Sequence, residues 1–119
     1  MAIISGDQGG IFFRYNHTND TYYAFAISQN GKYNVFRFDG RNLLELGNSP
    51  NSSPAIHTGS QPNTIAVVVI GSTIDFYVNE QHLGEVTDNT YSQGNIGLLA
   101  FEVSNPTEVV FRNAKVWTP

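Results

Sequence analysis

The sequence predicts an all-β fold, a single antiparallel two-sheet sandwich spanning residues 1–119, and three observations carry that expectation. Eight Phe, six Tyr and one Trp stand among many Val, Ile and Thr, the side chains that pack best on pleated faces. Eleven Gly and five Pro, with frequent Asn and Ser, punctuate the chain at short intervals, as a succession of short strands joined by turns requires. No long apolar stripe of helical period can be written. At 119 residues the chain is long enough for one core and too short for two.

In chain order, the first expected strand covers residues 11–16, with Ile11, Phe13 and Tyr15 on one face, Phe12 and Arg14 on the other, and a loop at 6–10 before it. Asn30-Gly31 suits a two-residue type I′ hairpin, because both positions tolerate positive φ. Folding there sets Ser28 against Tyr33, Ala26 against Val35, Phe25 against Phe36 and Tyr23 against Phe38. Tyr23, Phe25, Ile27, Phe36 and Phe38 then share the core face, and Ala24, Ala26, Tyr33, Val35 and Arg37 the opposite one. Residues 47–63, rich in Asn, Ser, Pro and Gly, form the one long connection and are expected to cross between sheets.

Gly71-Ser72 suits a type II′ turn between strands at 64–70 and 73–78, which sets Val69 against Ile74, Val67 against Phe76 and Ile65 against Val78. A reversal near Asn79-Glu80 returns a strand at 82–86, with His82 opposite Tyr77 and Leu83 opposite Phe76. Strands at 95–101 and 109–117, separated by a turn at Ser104-Asn105-Pro106, complete eight or nine in all. A closed barrel is the alternative. The long connection favours the sandwich, since it splits the strands into two groups that each offer an apolar face.

Six Lys plus Arg against ten Asp plus Glu give a formal charge of −4, and the basic residues are scattered singly. That distribution lacks the electrostatic footprint of a nucleic-acid partner. The longest apolar run, residues 65–70, has strand length and falls far short of the roughly 18–20 residues that cross a bilayer, so no membrane insertion is expected. The absence of Cys removes disulfides and thiolate metal sites.

The runs Gly9-Gly10-Ile11-Phe12-Phe13-Arg14-Tyr15, Tyr22-Tyr23-Ala24-Phe25 and Asn30-Gly31-Lys32-Tyr33 resemble the concanavalin A-like, laminin-G-like domains of bacterial multi-domain proteins. Ser53-Pro54-Ala55-Ile56, Ile74-Asp75-Phe76-Tyr77-Val78-Asn79, Gly94-Asn95-Ile96-Gly97-Leu98 and Val110-Phe111-Arg112-Asn113-Ala114-Lys115-Val116-Trp117 agree in order. The resemblance implies a jelly roll and a non-catalytic module of a sensor kinase or surface protein, extracellular or cell-surface. It also implies strands upstream of Gly9, so the domain reads as N-terminally shortened, and exposed sheet edges lead to an expected homo-oligomer.

On this fold, related hydrolases carry two carboxylates at alternate positions of one strand. No two acidic residues here lie two apart, so no enzyme activity is expected; Asp75, Glu85 and Asp88 read as surface charges. His17, His57 and His82 read as surface or packing residues. No cofactor is expected, with calcium the alternative through Asp7, Asn19, Asp20 and Asp88, although no compact alternating Asp/Asn loop is present.

Sugar recognition needs aromatic faces beside planar hydrogen-bonding groups, and the hairpin register offers Tyr33 and Arg37 with Tyr22 and Arg14 as neighbours. The same four residues would also suit the plain outside of a sheet, or a contact between copies. Trp117 reads as a core or edge anchor. The function expected is recognition of a carbohydrate or cell-surface ligand. A self-assembling scaffold is the alternative, and a fragment of a carbohydrate-active enzyme is a third reading.

Overall fold

The computed structural model of the chain describes residues 1–101 and 104–112. These residues are all-β: β1 (Ala2–Ser5), β2 (Gln8–Asn16), β3 (Thr21–Ser28), β4 (Lys32–Phe38), β5 (Leu43–Glu45), β6 (Asn51–Ser52), β7 (Ile65–Ile70), β8 (Thr73–Val78), β9 (Gln81–Thr87), β10 (Asn95–Phe101) and β11 (Glu108–Val110). The larger sheet runs β10-β2-β3-β4-β5, with β6 also paired to β4; the smaller runs β7-β8-β9; β1 and β11 make a two-stranded ribbon. Every pairing is antiparallel.

The two larger sheets face each other across one core. Phe13, Tyr23, Phe25, Ile27, Tyr33 and Val35 project from the larger sheet, and Ile74, Phe76, Val78 and Val86 from the smaller, with Leu46 and Ile56 closing gaps from the connecting segments. The Phe76 ring lies 5.5 Å from Phe25 and 5.9 Å from Tyr33, so one ring of the smaller sheet sits against two of the larger. Each such large side chain removed from water contributes roughly 1.5–3 kcal/mol.

The β7–β8 hairpin has the register expected from Gly71-Ser72: Val69 meets Ile74, Val67 meets Phe76 and Ile65 meets Val78. Gly71 carries a φ of 59°, as the first central position of a type II′ turn demands. The next reversal uses Asn79 and Glu80, both at positive φ (50° and 69°), and pairs Tyr77 with His82. Phe76 then meets Gly84 instead of Leu83, because Leu83 is the extra residue of a bulge.

The β3–β4 hairpin differs from expectation by one residue. Tyr23 pairs with Arg37, Phe25 with Val35 and Ile27 with Tyr33. The loop therefore holds three residues, Gln29-Asn30-Gly31, closed by Gly31 N–H donating to the Ser28 carbonyl (3.3 Å). Gly31 alone is left-handed (φ 83°), the arrangement of a type I turn followed by a glycine bulge. Tertiary bonds hold it: Gln29 Nε2 donates to the Ile3 carbonyl (2.8 Å), and Gly59 N–H donates to the Gln29 carbonyl (2.7 Å). Tyr33 and Val35 consequently lie in the core. Phe36, though fully buried, lies on the outer face with Phe38 and Tyr22, 5.4 Å from Phe101.

A second departure lies at the end of β2, where the pairing shifts between Phe13 and Asn16 and Arg14 takes a φ of 52°. This bulge reverses the alternation beyond Phe13. Tyr15 joins Phe12 on the outer face, their rings 5.4 Å apart, and Arg14 swings to the end of the sandwich. Residues 8–10, expected as a loop, already belong to β2, while β1, β5 and β6 are short elements that no periodicity announced. The expected strand at 109–117 is described only through Arg112, and Trp117 lies outside the described residues.

Candidate functional site

The corrected register decides what the outer face of the larger sheet displays. From β4 come Lys32, Asn34, Phe36 and Phe38; from β3, Tyr22, Ala24, Ala26 and Ser28; from β2, Gln8, Gly10 and Phe12. Aromatic rings occupy one half of this face. Tyr22 lies 5.7 Å from Phe12, 6.2 Å from Tyr15 and 5.3 Å from Phe38. Burial is the first cause that raises the Tyr22 hydroxyl above its usual pKa, followed by the charge of Asp20 and the neighbouring Tyr15.

The other half is polar and hollow. A cavity of about 360 Å³ opens there, and its walls include Gln8, Ser28, Lys32, Asn34 and Asp7. Asn34 Nδ2 donates to Gln8 Oε1 (3.3 Å), but Asn34 Oδ1 is buried without a hydrogen-bond partner. Buried amide oxygens are nearly always paired, so an unpaired one in the wall of a cavity marks a place where a donor fits. Asp7 is engaged: its carboxylate accepts from Ser104 N–H (2.8 Å), Asn105 N–H (2.9 Å) and Asn105 Nδ2 (3.0 Å).

The four residues singled out from sequence do not form one patch. Tyr33 packs in the core, 8% exposed, and is also one of the residues that line the 360 Å³ cavity. Tyr22 belongs to the outer aromatic group. Arg37 is on the inner face, opposite Tyr23, at the open end of the sandwich. There it pairs with Asp88, which also accepts from the Tyr23 hydroxyl and from Thr90 N–H (3.0 Å).

Arg14 grips the same loop. Its Nη1 donates to the Tyr91 carbonyl (2.9 Å) and its Nη2 to the Gly71 carbonyl (2.6 Å), while Tyr91 N–H donates to the Tyr23 hydroxyl (3.2 Å). Arg14 and Arg37 thus meet through the β9–β10 loop, as parts of a clamp.

The clamp moves its ionisable groups in opposite directions. Burial by itself would raise the Asp88 carboxyl, but hydrogen bonds from Tyr23 and Thr90, together with the Arg37 charge, outweigh it and hold the group below its usual value. Burial, reinforced by the bond to Asp88, raises the Tyr23 hydroxyl. Asp88 is therefore no idle surface charge. Of the histidines, His82 Nε2 lies 2.8 Å from Asp75 Oδ1 with its ring on Tyr77, and His57 Nδ1 lies 3.0 Å from the Pro62 carbonyl.

Among the described residues no three His, Cys, Asp or Glu side chains come together as a metal-holding group, and no helix is long and apolar enough to cross a membrane. Sequence reasoning missed Gln8 and Asn34. The signal that could have found Asn34 was its place two residues from Phe36, once the turn is counted as three residues. Comparison with protein-family models, with curated proteins and with solved structures finds no match for this chain.

Proposed function

We propose that the protein is a non-catalytic binding module that recognises a carbohydrate on the outer face of its larger sheet, in the bacterial surface or sensory setting that the sequence resemblance implies. The observation that carries the reading is the unpartnered Asn34 Oδ1 in the wall of the 360 Å³ cavity. Sugar hydroxyls are donors and acceptors at once, so they suit a wall of amides and hydroxyls from Gln8, Ser28 and Asn34. Tyr33 is the aromatic residue among the described residues of this wall, and an aromatic side chain suits the carbon face of a pyranose. A non-catalytic role is favoured because glycoside hydrolysis calls for two carboxyl groups, and Asp7 is the one carboxylate among the described residues of this wall, already hydrogen-bonded to the 104–105 turn.

The test is a glycan array followed by titration of the best neutral oligosaccharide. The reading expects saturable binding that Asn34→Ala and Gln8→Ala each weaken about tenfold, the loss of one or two hydrogen bonds. Binding that survives both substitutions would place recognition elsewhere.

A second reading, self-association, is favoured by one observation. β10 is an end strand of the larger sheet among the described residues, and Ile96 and Leu98 are 52% and 46% exposed on it. Sedimentation across a concentration series should then show a dimer that Leu98→Lys dissociates; a monomer at all concentrations removes this reading.

A further inference from the structure

At the other end of β3 from the amide-lined cavity, a smaller cavity of about 260 Å³ has Arg14, Asn16, Asn19, Thr21 and Tyr91 in its walls. The two lie about 23 Å apart along the strand, from Thr21 to Ser28 at roughly 3.3 Å per residue. Among the described residues no acidic side chain is part of this second wall. The guanidinium of Arg14 has five N–H donors, of which two are directed to the carbonyls of Tyr91 and Gly71. The ion pairs among the described residues are Arg37–Asp88 and His82–Asp75, so Arg14 has no carboxylate of its own. Its positive charge is half-buried beside neutral amides and a hydroxyl.

The backbone supports a positioned, not an incidental, arginine. Arg14 is held at a φ of 52° in the β2 bulge, a conformation disfavoured for a side chain of this kind. Bulges of this type re-aim a side chain next to a site. The two carbonyl bonds fix the plane of the guanidinium and leave its remaining donors for a ligand. A planar fork of fixed orientation matches a carboxylate.

We propose that this cavity is an anion subsite that takes a carboxylate group on Arg14, with Asn16, Asn19 and Thr21 supplying neutral hydrogen bonds around it. The carboxylate can belong to a sugar acid, such as a uronic acid at the end of a glycan, or to a free organic acid. The site does not depend on the neutral-sugar cavity, and each can fail without the other.

The experiment is calorimetric titration of the intact chain with galacturonate, galactose and acetate at low and high salt. Galacturonate should bind measurably, galactose should not compete for it, and affinity should fall as salt screens the charge. Acetate binding as tightly as galacturonate would identify the bare carboxylate as the whole ligand; weaker acetate binding would identify the sugar acid.

Arg14→Gln should reduce galacturonate affinity about tenfold or more, with Arg14→Lys between the two because it keeps the charge and loses the fork. Since Arg14 also clamps a loop, Asn19→Ala provides a variant outside the clamp. It should weaken binding severalfold without moving the melting temperature. Galacturonate binding no tighter than galactose, or unchanged in Asn19→Ala and in a folded Arg14→Gln, would overturn the assignment.

Discussion

Asn34 lies between Lys32 and Phe36 on the outer face of the larger sheet, and its Oδ1 has no partner. A buried acceptor left unpaired costs about 1–3 kcal/mol, which a leucine, similarly branched though larger, would not incur. Asn34→Leu is therefore expected to raise stability by about 1 kcal/mol in urea unfolding while removing neutral-sugar binding. A loss of stability instead would mean that the amide is held by its bond to Gln8 more firmly than by any ligand.

Asp88 behaves in the opposite sense. Its folded pKa is depressed, so its contribution is complete above the unfolded value of about 3.9 and disappears as pH falls through the folded one. The urea midpoint should drop on acidification below about pH 4. Asp88→Asn should begin about 2 kcal/mol lower at pH 7, because Arg37 and Tyr23 lose a partner, and should then fall less steeply in acid. Parallel acid limbs for the two proteins would remove the clamp from the account.

At the scale of elements, the β3–β4 hairpin shows how one residue in a turn rearranges two faces. Only Gly31 is left-handed there, and a β-carbon on it would meet nothing closer than Thr58 Cγ2 at 3.6 Å. Gly31→Ala should thus cost about 1–2 kcal/mol from φ alone, whereas Asn30→Ala should cost less than about 0.5 kcal/mol. A two-residue type I′ turn would penalise both, so equal losses in thermal unfolding would restore the other register.

The expected register was wrong because β3 is apolar on both sides: Tyr22, Ala24 and Ala26 fit a buried face nearly as well as Tyr23, Phe25 and Ile27. Alternation then leaves the pairing undetermined, and long-range bonds to Gln29 choose it. At β7–β8 one face carries Asp75 and Tyr77, and the register was legible in full. The bulge at Arg14 left no mark in the sequence, since a positive φ is borne there by an arginine, and with it went the position of Arg14. Gln8 and Asn34 were hidden by the same hairpin.

For the whole molecule, the two sheets stand or fall together because neither can cover itself. The smaller sheet has three strands, one buried face and a mixed outer face, and a sheet with one apolar face buries it against another layer. Its anchor is Phe76, 4% exposed, against Phe25 and Tyr33. Phe76→Ala should cost about 3–5 kcal/mol, a large part of the roughly 5–15 kcal/mol of a typical domain. Phe36 is as deeply buried, yet it packs outside the sandwich on Phe101 and Tyr22. Phe36→Ala should cost a similar amount without loosening the sheets. The two variants separate when far-UV ellipticity and tyrosine fluorescence are followed together. Both signals should move through a single transition in the native protein and in Phe36→Ala. In Phe76→Ala the sheet–sheet contact is the part removed, so any residual structure belongs to the larger sheet and the fluorescence transition should come first. Coincident transitions in Phe76→Ala would mean that the β1–β11 ribbon and the clamp made by Arg14 and the Arg37–Asp88 pair, not the facing aromatic rings, hold the smaller sheet in place.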